Sequence, residues 1–507
     1  MRWRTSRPAC SAGRSNRCRR RTSCRRRRPR PCPQSDPERE PGRREGVNQP
    51  NIVVFLSDDH AEWALGCSGN SEIRTPALDH LARTGVRMRN AFTVSPVCSP
   101  ARASFWTGLL PSQHGLHDFL AERDPEVNAV PWLGRETLLA DLLQDAGYQT
   151  AMVGKWHLGR SEQQRPGFDH WRPRDYLSQV SPAAGRHAVT DDAVAFLRDR
   201  DIDRPFFLYV GHYATHSPWR DHPERIVGQY RTASFADIPD DPVYPYGRMA
   251  GEALFPTRTD PREALAQYYA AATEIDEGVG RVLDELEAQD LADDTLVVYL
   301  SDHGLMTGHH GLWGKGNATV PYNMLEESIR VPMILNHPGV LLGGQTRDEF
   351  VTQCDLFELL LEHADVPVPE AVRRRHRYPG RSFRSLCRGG AEPNWPDAVY
   401  GEYGDTRMIR TRANKLVNQP TVGRTMLFDL NGDPRETADV AGQKQWETTV
   451  SVLTTRLNSY FAQYDEPDTS GLRVAELPRH NRREAWRDHG RHDIVAHPPW
   501  LTDQADR

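Results

Sequence analysis

Asn51-Ile52-Val53-Val54-Phe55-Leu56-Ser57-Asp58-Asp59-His60 carries five consecutive apolar residues into a polar turn. A continuous apolar run of this length, rich in β-branched residues, is the pattern of a strand buried on both faces of a parallel sheet. The pattern returns along the chain. Tyr148 to Val153 ends in Gly154-Lys155-Trp156-His157, Phe206 to Val210 leads into His212 and His216, and Thr295 to Leu300 ends in Ser301-Asp302-His303-Gly304. Helical stretches separate them: Thr75-Pro76-Ala77 with Leu78, Leu81 and Ala82; Leu138, Leu139, Leu142 and Leu143 on one face before Gly147; Asp191 to Arg200; and Arg262 to Gln289. Alternating strands and helices predict an α/β fold around a large, mainly parallel central sheet flanked by helices. Ligands of such sheets bind beyond the carboxyl ends of the strands, where each of these polar clusters falls.

After about Pro367 the expected strands become short (Ala398–Tyr403, Met408–Thr411, Lys415–Asn418, Met426–Leu430), and a helix is expected from Gln445 to Tyr464. This reads as a smaller α+β subdomain of antiparallel strands and a helix. The expected organisation is an Arg-rich disordered extension over 1–50, a catalytic domain over 51–366, the subdomain over 367–465 and a polar surface tail over 466–507. No internal repeat is visible.

The chain has 507 residues, 38% apolar and 26% charged, a globular composition. No apolar run approaches the roughly 18–20 residues that span a bilayer, so no membrane partner is expected. The net charge of −5 conceals two parts: residues 1–50 hold sixteen arginines against four acidic residues, a net +12, and the remainder carries −17. The basic segment lacks apolar periodicity and reads as unstructured, or as sequence upstream of a misassigned start, with no nucleic-acid partner expected. It also lacks the apolar core of a secretory signal, so the chain as written reads as cytoplasmic. Cys67, Cys98, Cys354 and Cys387 are too widely spaced for a disulfide framework or a close-spaced zinc site, which fits a reducing compartment.

The stretch richest in chemistry is Pro96-Val97-Cys98-Ser99-Pro100-Ala101-Arg102-Ala103-Ser104-Phe105-Trp106-Thr107-Gly108. Pro100 suits a first helical turn, which puts Cys98 at a helix N-terminus, where free N–H groups favour an anion. Arg102, one turn on, reaches back toward the same place. Elsewhere, Asp58-Asp59 and Asp302 are carboxylates at strand ends; neighbouring anions repel unless a cation binds them, so a hard cation with oxygen ligands is expected.

Cys98-Ser99-Pro100-Ala101-Arg102 with Thr107-Gly108 resembles the activation motif of the type I sulfatases of the alkaline phosphatase-like superfamily. Gly147 to His157 resembles that family's second motif, Gly-Tyr-x-Thr-x-x-x-Gly-Lys-Trp-His. His216 in Thr215-His216-Ser217-Pro218, Lys315 ahead of Glu326-Glu327-Ser328-Ile329-Arg330-Val331-Pro332, and several C-terminal segments resemble it too, so the resemblance covers about residues 50–465. It implies that a separate formylglycine-generating enzyme oxidises Cys98 to formylglycine, whose hydrate attacks sulfate esters. It implies catalytic roles for Cys98, Arg102, Lys155, His157, His216 and Lys315. It also implies one divalent cation at Asp58, Asp59, Cys98, Asp302 and His303, calcium by family habit. His303 stands where many members carry Asn, and a nitrogen ligand leaves Mg²⁺ or Mn²⁺ open. The expected substrate is a sulfated small molecule, with sulfated carbohydrate the first choice. The alternatives are a phosphonate or phosphate ester hydrolase of the same superfamily, and a non-catalytic binding protein that keeps Cys98 as a thiol. Trp63, His117, Asp118, Trp219, Arg220, Glu402 and Tyr403 flank the motifs and are candidates to shape a sugar pocket.

Overall fold

The computed structural model describes residues 49–174, 187–249 and 260–488; most of the Arg-rich segment and residues 489–507 of the expected tail lie outside them. The central sheet has eight strands: β1 (Asn51–Ser57), β2 (Val86–Phe92), β3 (Gln149–Gly154), β4 (His170–Pro173), β5 (Phe206–Gly211), β6 (Thr295–Ser301), β7 (Met333–Asn336) and β8 (Gln345–Thr352), in the order β8-β2-β7-β6-β1-β5-β3-β4. All neighbours pair in parallel except β7, which runs antiparallel to both β2 and β6.

Both faces of β1 are covered, which explains its unbroken apolar run. Ile52, Val54 and Leu56 join Phe105 and Trp106 of α2 (Cys98–Thr107), Leu139 and Leu143 of α3 (Leu139–Asp145) and Phe357 of a later helix on one side. Val53 and Phe55 join Leu78 of α1 (Pro76–Thr84), Val194 of α4 (Ala188–Asp199) and Ile275 of α5 (Pro261–Ala288) on the other. The period of two in a strand sorts successive residues to opposite cores. Burying each such side chain contributes about 1.5–3 kcal/mol before the entropy of ordering is set against it.

Gly154 closes β3 at φ +92°, and a Cβ there would lie 2.0 Å from the carbonyl oxygen of Gly211 on the neighbouring strand. Gly154→Ala is expected to lose about 2–3 kcal/mol of stability through overpacking and a left-handed backbone. A urea unfolding midpoint equal to that of the parent would contradict this.

The C-terminal part holds a second, antiparallel sheet in the order β9 (Ala398–Tyr403), β10 (Thr406–Thr411), β11 (Asn414–Gln419), β12 (Arg424–Asp429). The last two helices labelled here are α6 (Gln353–His363), which carries Phe357, and α7 (Glu447–Tyr464). Leu453, Leu457 and Phe461 of α7 pack on Ile409, Leu416 and Leu427 of the small sheet, in one core with Val94, Leu110 and Cys354 of the larger part. Tyr403, Met408 and Val417 pack on Phe92 and Val97. The small sheet therefore buttresses the residue just before Cys98.

Over 466–488 the expected surface tail is ordered and tied to the larger part. Thr469 Oγ1 donates to the Ser112 carbonyl at 2.9 Å, Gly471 N to Ser112 Oγ at 2.9 Å, and Ala121 N to the His480 carbonyl at 2.9 Å. His480 and Glu484 are buried and pair with each other at 2.8 Å. The segment lies along the surface with many residues exposed, and its buried polar residues tie it in place. Among the described residues, no helix is long and apolar enough to cross a membrane.

Candidate active site

Four parallel strand ends deliver the polar groups to one edge of the sheet. Asp58 and Asp59 follow β1, Lys155 and His157 follow β3, His216 follows β5, and Asp302 and His303 follow β6. Asp59 and His157 adopt left-handed backbone conformations, φ 61° and 57°. Such values are uncommon outside glycine and mark sharp turns off the strands. Cys98 is the first residue of α2, all ten of whose residues are buried. Lys315 arrives from the loop that precedes the short helix Glu326–Ile329. His157 and His216 keep some exposure, whereas Cys98, Arg102, both lysines, His303 and the three aspartates are buried.

The groups converge on the thiol. Cys98 Sγ lies 3.1 Å from Lys315 Nζ, 3.3 Å from Asp58 Oδ1 and 3.4 Å from His303 Nε2. Lys315 Nζ also donates to Asp59 Oδ1 at 2.8 Å, and Lys155 Nζ donates to Asp58 Oδ2. Arg102 Nε donates to Asp302 Oδ2 at 2.9 Å and its Nη1 to Tyr209 Oη at 2.9 Å. His303 Nδ1–H donates to the Gly304 carbonyl at 2.9 Å, which orients the ring and turns Nε2 toward Cys98 Sγ at 3.4 Å and Asp59 Oδ1 at 3.3 Å. His216 is oriented the same way: its Nδ1 is bonded to the Ser217 carbonyl at 2.8 Å, and its Nε2 lies 3.9 Å from Asp59 Oδ2. His157 Nε2 bonds the Leu120 carbonyl at 2.9 Å, while its Nδ1 is buried without a hydrogen-bond partner.

Charge sets the protonation states. Burial pushes the Cys98 thiol up, but Lys155, Lys315 and His303 outweigh it and hold it well below the ordinary value. Burial likewise opposes ionisation of Asp58, yet Lys155, His216 and Lys315 keep its carboxyl below the usual carboxylate range. Asp302 is raised to about 6 by burial and by the neighbouring Asp58. His303 and His216 are each raised to about 9: burial lowers them, and Asp302 and Asp59 respectively prevail.

Asp58, Asp59, Cys98 and His303 bring ligand atoms within 4.8 Å of one another, and all four are buried. Two carboxylates, an imidazole nitrogen and the residue-98 side chain fit a divalent cation. Asp302 adjoins this group: Oδ1 lies 3.5 Å from His303 Nε2 and accepts the His303 backbone N–H at 2.9 Å, while Oδ2 faces Arg102.

Several contributors were not singled out from sequence. Thr215 braces the Asp58-Asp59 turn, its Oγ1 donating to the Asp59 carbonyl at 2.8 Å. Gln353 Nε2 donates to the Asp302 carbonyl at 2.9 Å. Asn323 clamps the lysine loop: its Nδ2 reaches the carbonyls of Lys315 at 2.9 Å and Gly316 at 3.1 Å, and its Oδ1 accepts from Ser328 Oγ at 2.9 Å. The Ser328 carbonyl in turn accepts the Gly304 N–H at 3.0 Å, so one amide links the Lys315 loop to the Asp302-His303 turn. Only the Thr-Val-Pro-Tyr setting before Asn323 was visible in the sequence, and it carries no such signal. Asn323→Ala is expected to cost about 1–3 kcal/mol by leaving buried acceptors unpaired. An unchanged denaturation midpoint would rule the clamp out.

The candidate pocket-shaping residues mostly serve the fold. His117, Asp118, Glu402 and Tyr403 are buried, with Glu402 accepting both the N–H and the hydroxyl of Ser112 at 2.6 Å. Trp63 and Trp219 pack on Tyr268. Arg220 alone among them is fully exposed.

A mainly parallel sheet whose strand ends gather acids, lysines and histidines around a residue at a helix start defines a hydrolase of the alkaline phosphatase-like superfamily. The sulfatase family model matches residues 50–366, and the model for the C-terminal region of N-sulphoglucosamine sulphohydrolase matches residues 308–463. The chain belongs to the type I sulfatase family and is a sulfuric ester hydrolase. It is 27% identical over 520 residues to an N-acetylglucosamine-6-O-sulfatase of Bacteroides thetaiotaomicron, covering 84% of this chain and 88% of that protein. It is 30% identical over 454 residues to an ulvan-active sulfatase of Formosa agariphila, covering 82% and 81%. A solved structure in complex with its substrate D-glucosamine-2-N,6-O-disulfate superposes with a TM-score of 0.71 at 24% identity, covering 83% of this chain and 99% of the other, a likeness of fold.

Proposed function

We propose that the protein hydrolyses sulfate esters of a sulfated carbohydrate, using a formylglycine made from Cys98 by a separate maturation enzyme. The observation that carries this reading is the placement of Cys98. A lone thiol at a helix start is held among two lysines, a histidine and two carboxylates, with its Sγ within 3.4 Å of three of them. The carbohydrate part rests on similarity to relatives acting on N-acetylglucosamine-6-O-sulfate and ulvan.

In this reading Asp58, Asp59, Asp302, His303 and the residue-98 side chain would hold a divalent cation, which would supply Lewis-acid stabilisation of anionic oxygens. Lys155 and Lys315 bind the sulfate oxygens and offset the charge that builds on them. One oxygen of the residue-98 diol, ionised beforehand by loss of its proton to solvent beside Lys155 and Lys315, attacks sulfur in line; the new O–S bond forms as the S–O bond to the sugar breaks. His216, cationic at neutral pH by virtue of Asp59, gives its proton to the departing alkoxide. The second hydroxyl of residue 98 then loses its proton to His157 or Asp302. Its oxygen becomes the carbonyl, the C–O bond to sulfate breaks, and the aldehyde is restored. Arg102 holds Asp302 in place and adds positive potential.

Turnover of an aryl sulfate and of the matching aryl phosphonate by the purified enzyme tests the reading. The sulfate is expected to be preferred in kcat/KM; preference for the phosphonate overturns the assignment in favour of a phosphonate ester hydrolase.

A further inference from the structure

A cavity of about 220 Å³ is bounded by Arg248, Pro321, Tyr322, Asp405, Thr421 and Trp486. Two of its groups carry chemistry that the fold leaves unused. Arg248 is exposed and, among the described residues, faces no carboxylate within ion-pairing distance. Trp486 is 7% exposed, and its indole Nε1 is buried without a hydrogen-bond partner. Asp405 Oδ2 accepts the N–H of Thr421 at 2.9 Å and its hydroxyl, which leaves Oδ1 as an acceptor.

The cavity is coupled to the nucleophile through one loop. Tyr322 stacks on Tyr403 with ring centroids 3.9 Å apart, and Tyr403 packs so closely on Gly316 that a Cβ there would lie 2.9 Å from its ring. Asn323, next to Tyr322, holds the carbonyl of Lys315, whose Nζ reaches Cys98. The cavity wall and the lysine at the thiol thus belong to the segment Lys315–Asn323.

We propose that this cavity is a distal subsite for an anionic sugar ring of an oligosaccharide whose sulfated end occupies the Cys98 site. A ring of that kind matches every group present. Its sulfate or carboxylate pairs with Arg248, a hydroxyl donates to Asp405, and its apolar face meets Tyr322, Pro321 and the Trp486 ring. The assignment rests on the carbohydrate reading above and extends it from one sugar to a chain.

The test compares glucosamine-6-sulfate with a tetrasaccharide of alternating glucosamine-6-sulfate and uronic acid, with an aryl sulfate as control. The parent enzyme is expected to show a lower KM for the tetrasaccharide. Arg248→Ala is expected to raise that KM about tenfold, the worth of one charge-assisted hydrogen bond, while the monosaccharide and aryl sulfate are processed as before. Asp405→Ala removes the acceptor on the cavity wall; it is expected to weaken the tetrasaccharide alone. Equal KM for both sugars in the parent enzyme, or variants that handle the tetrasaccharide normally, overturns the subsite and leaves the substrate class standing. Cleavage of the aryl sulfate with neither sugar turned over overturns both.

Discussion

Cys98→Ala is expected to lower kcat/KM for an aryl sulfate by more than about 10⁴-fold, the scale seen when a covalent nucleophile is removed. The effect follows from what surrounds the position. Lys315, Asp58 and His303 all point at residue 98, and none of them replaces an attacking oxygen bonded to carbon. Alanine is smaller than cysteine and fits the same space, so folding is expected to survive; circular dichroism and the unfolding midpoint should match the parent. Cys98→Ser separates two ideas. A serine hydroxyl can take up sulfate but lacks the second hydroxyl that expels it, so at most a single turnover is expected, read as a burst of phenol without steady state. Sustained turnover by either variant would place the nucleophile elsewhere.

Arg102→Leu is expected to destabilise the protein by about 3–5 kcal/mol, the cost of breaking a buried ion pair and leaving one partner charged. Arg102 and Asp302 are both fully buried, and the guanidinium also donates to Tyr209. Without it, Asp302 keeps only backbone donors and His303 to offset Asp58, and its already raised pKa should rise further. The double variant Arg102→Leu/Asp302→Leu distinguishes loss of the pair from loss of packing. It is expected to recover part of the stability and none of the activity. A single variant as stable as the parent would mean the pair contributes little to this fold.

The strands that carry the site were legible because they are buried on both faces. Their unbroken apolar runs stop abruptly at polar turns, as in Leu56-Ser57-Asp58 and Leu300-Ser301-Asp302. The strands that were not singled out lie toward the outer part of the sheet, where one face meets water. β2 reads Val-Arg-Met-Arg-Asn-Ala-Phe, and β8 begins with Gln-Thr-Arg-Asp and is half exposed until Phe350. β7 has four residues, too few to show a period. Side chains whose chemistry is intrinsic, such as Cys98, Lys155 and His303, were visible from their setting. Asn323, Thr215 and Gln353 act through backbone carbonyls far away in sequence, and nothing local marks them. The same blindness made residues 466–488 look like a tail, since His480, Glu484 and Ser470 are polar residues buried by mutual hydrogen bonding.

The central claim, that Cys98 is the precursor of the nucleophile, is tested most directly by the mass of one tryptic peptide, Asn90–Arg102, from active enzyme made in its native host. After alkylation of thiols, the aldehyde form is lighter than the unalkylated cysteine peptide by about 18 Da, one sulfur and two hydrogens lost and one oxygen gained. The account predicts that this form is present and that its fraction rises in proportion to specific activity across preparations. Fully active enzyme in which every copy of the peptide carries an alkylated thiol would contradict it.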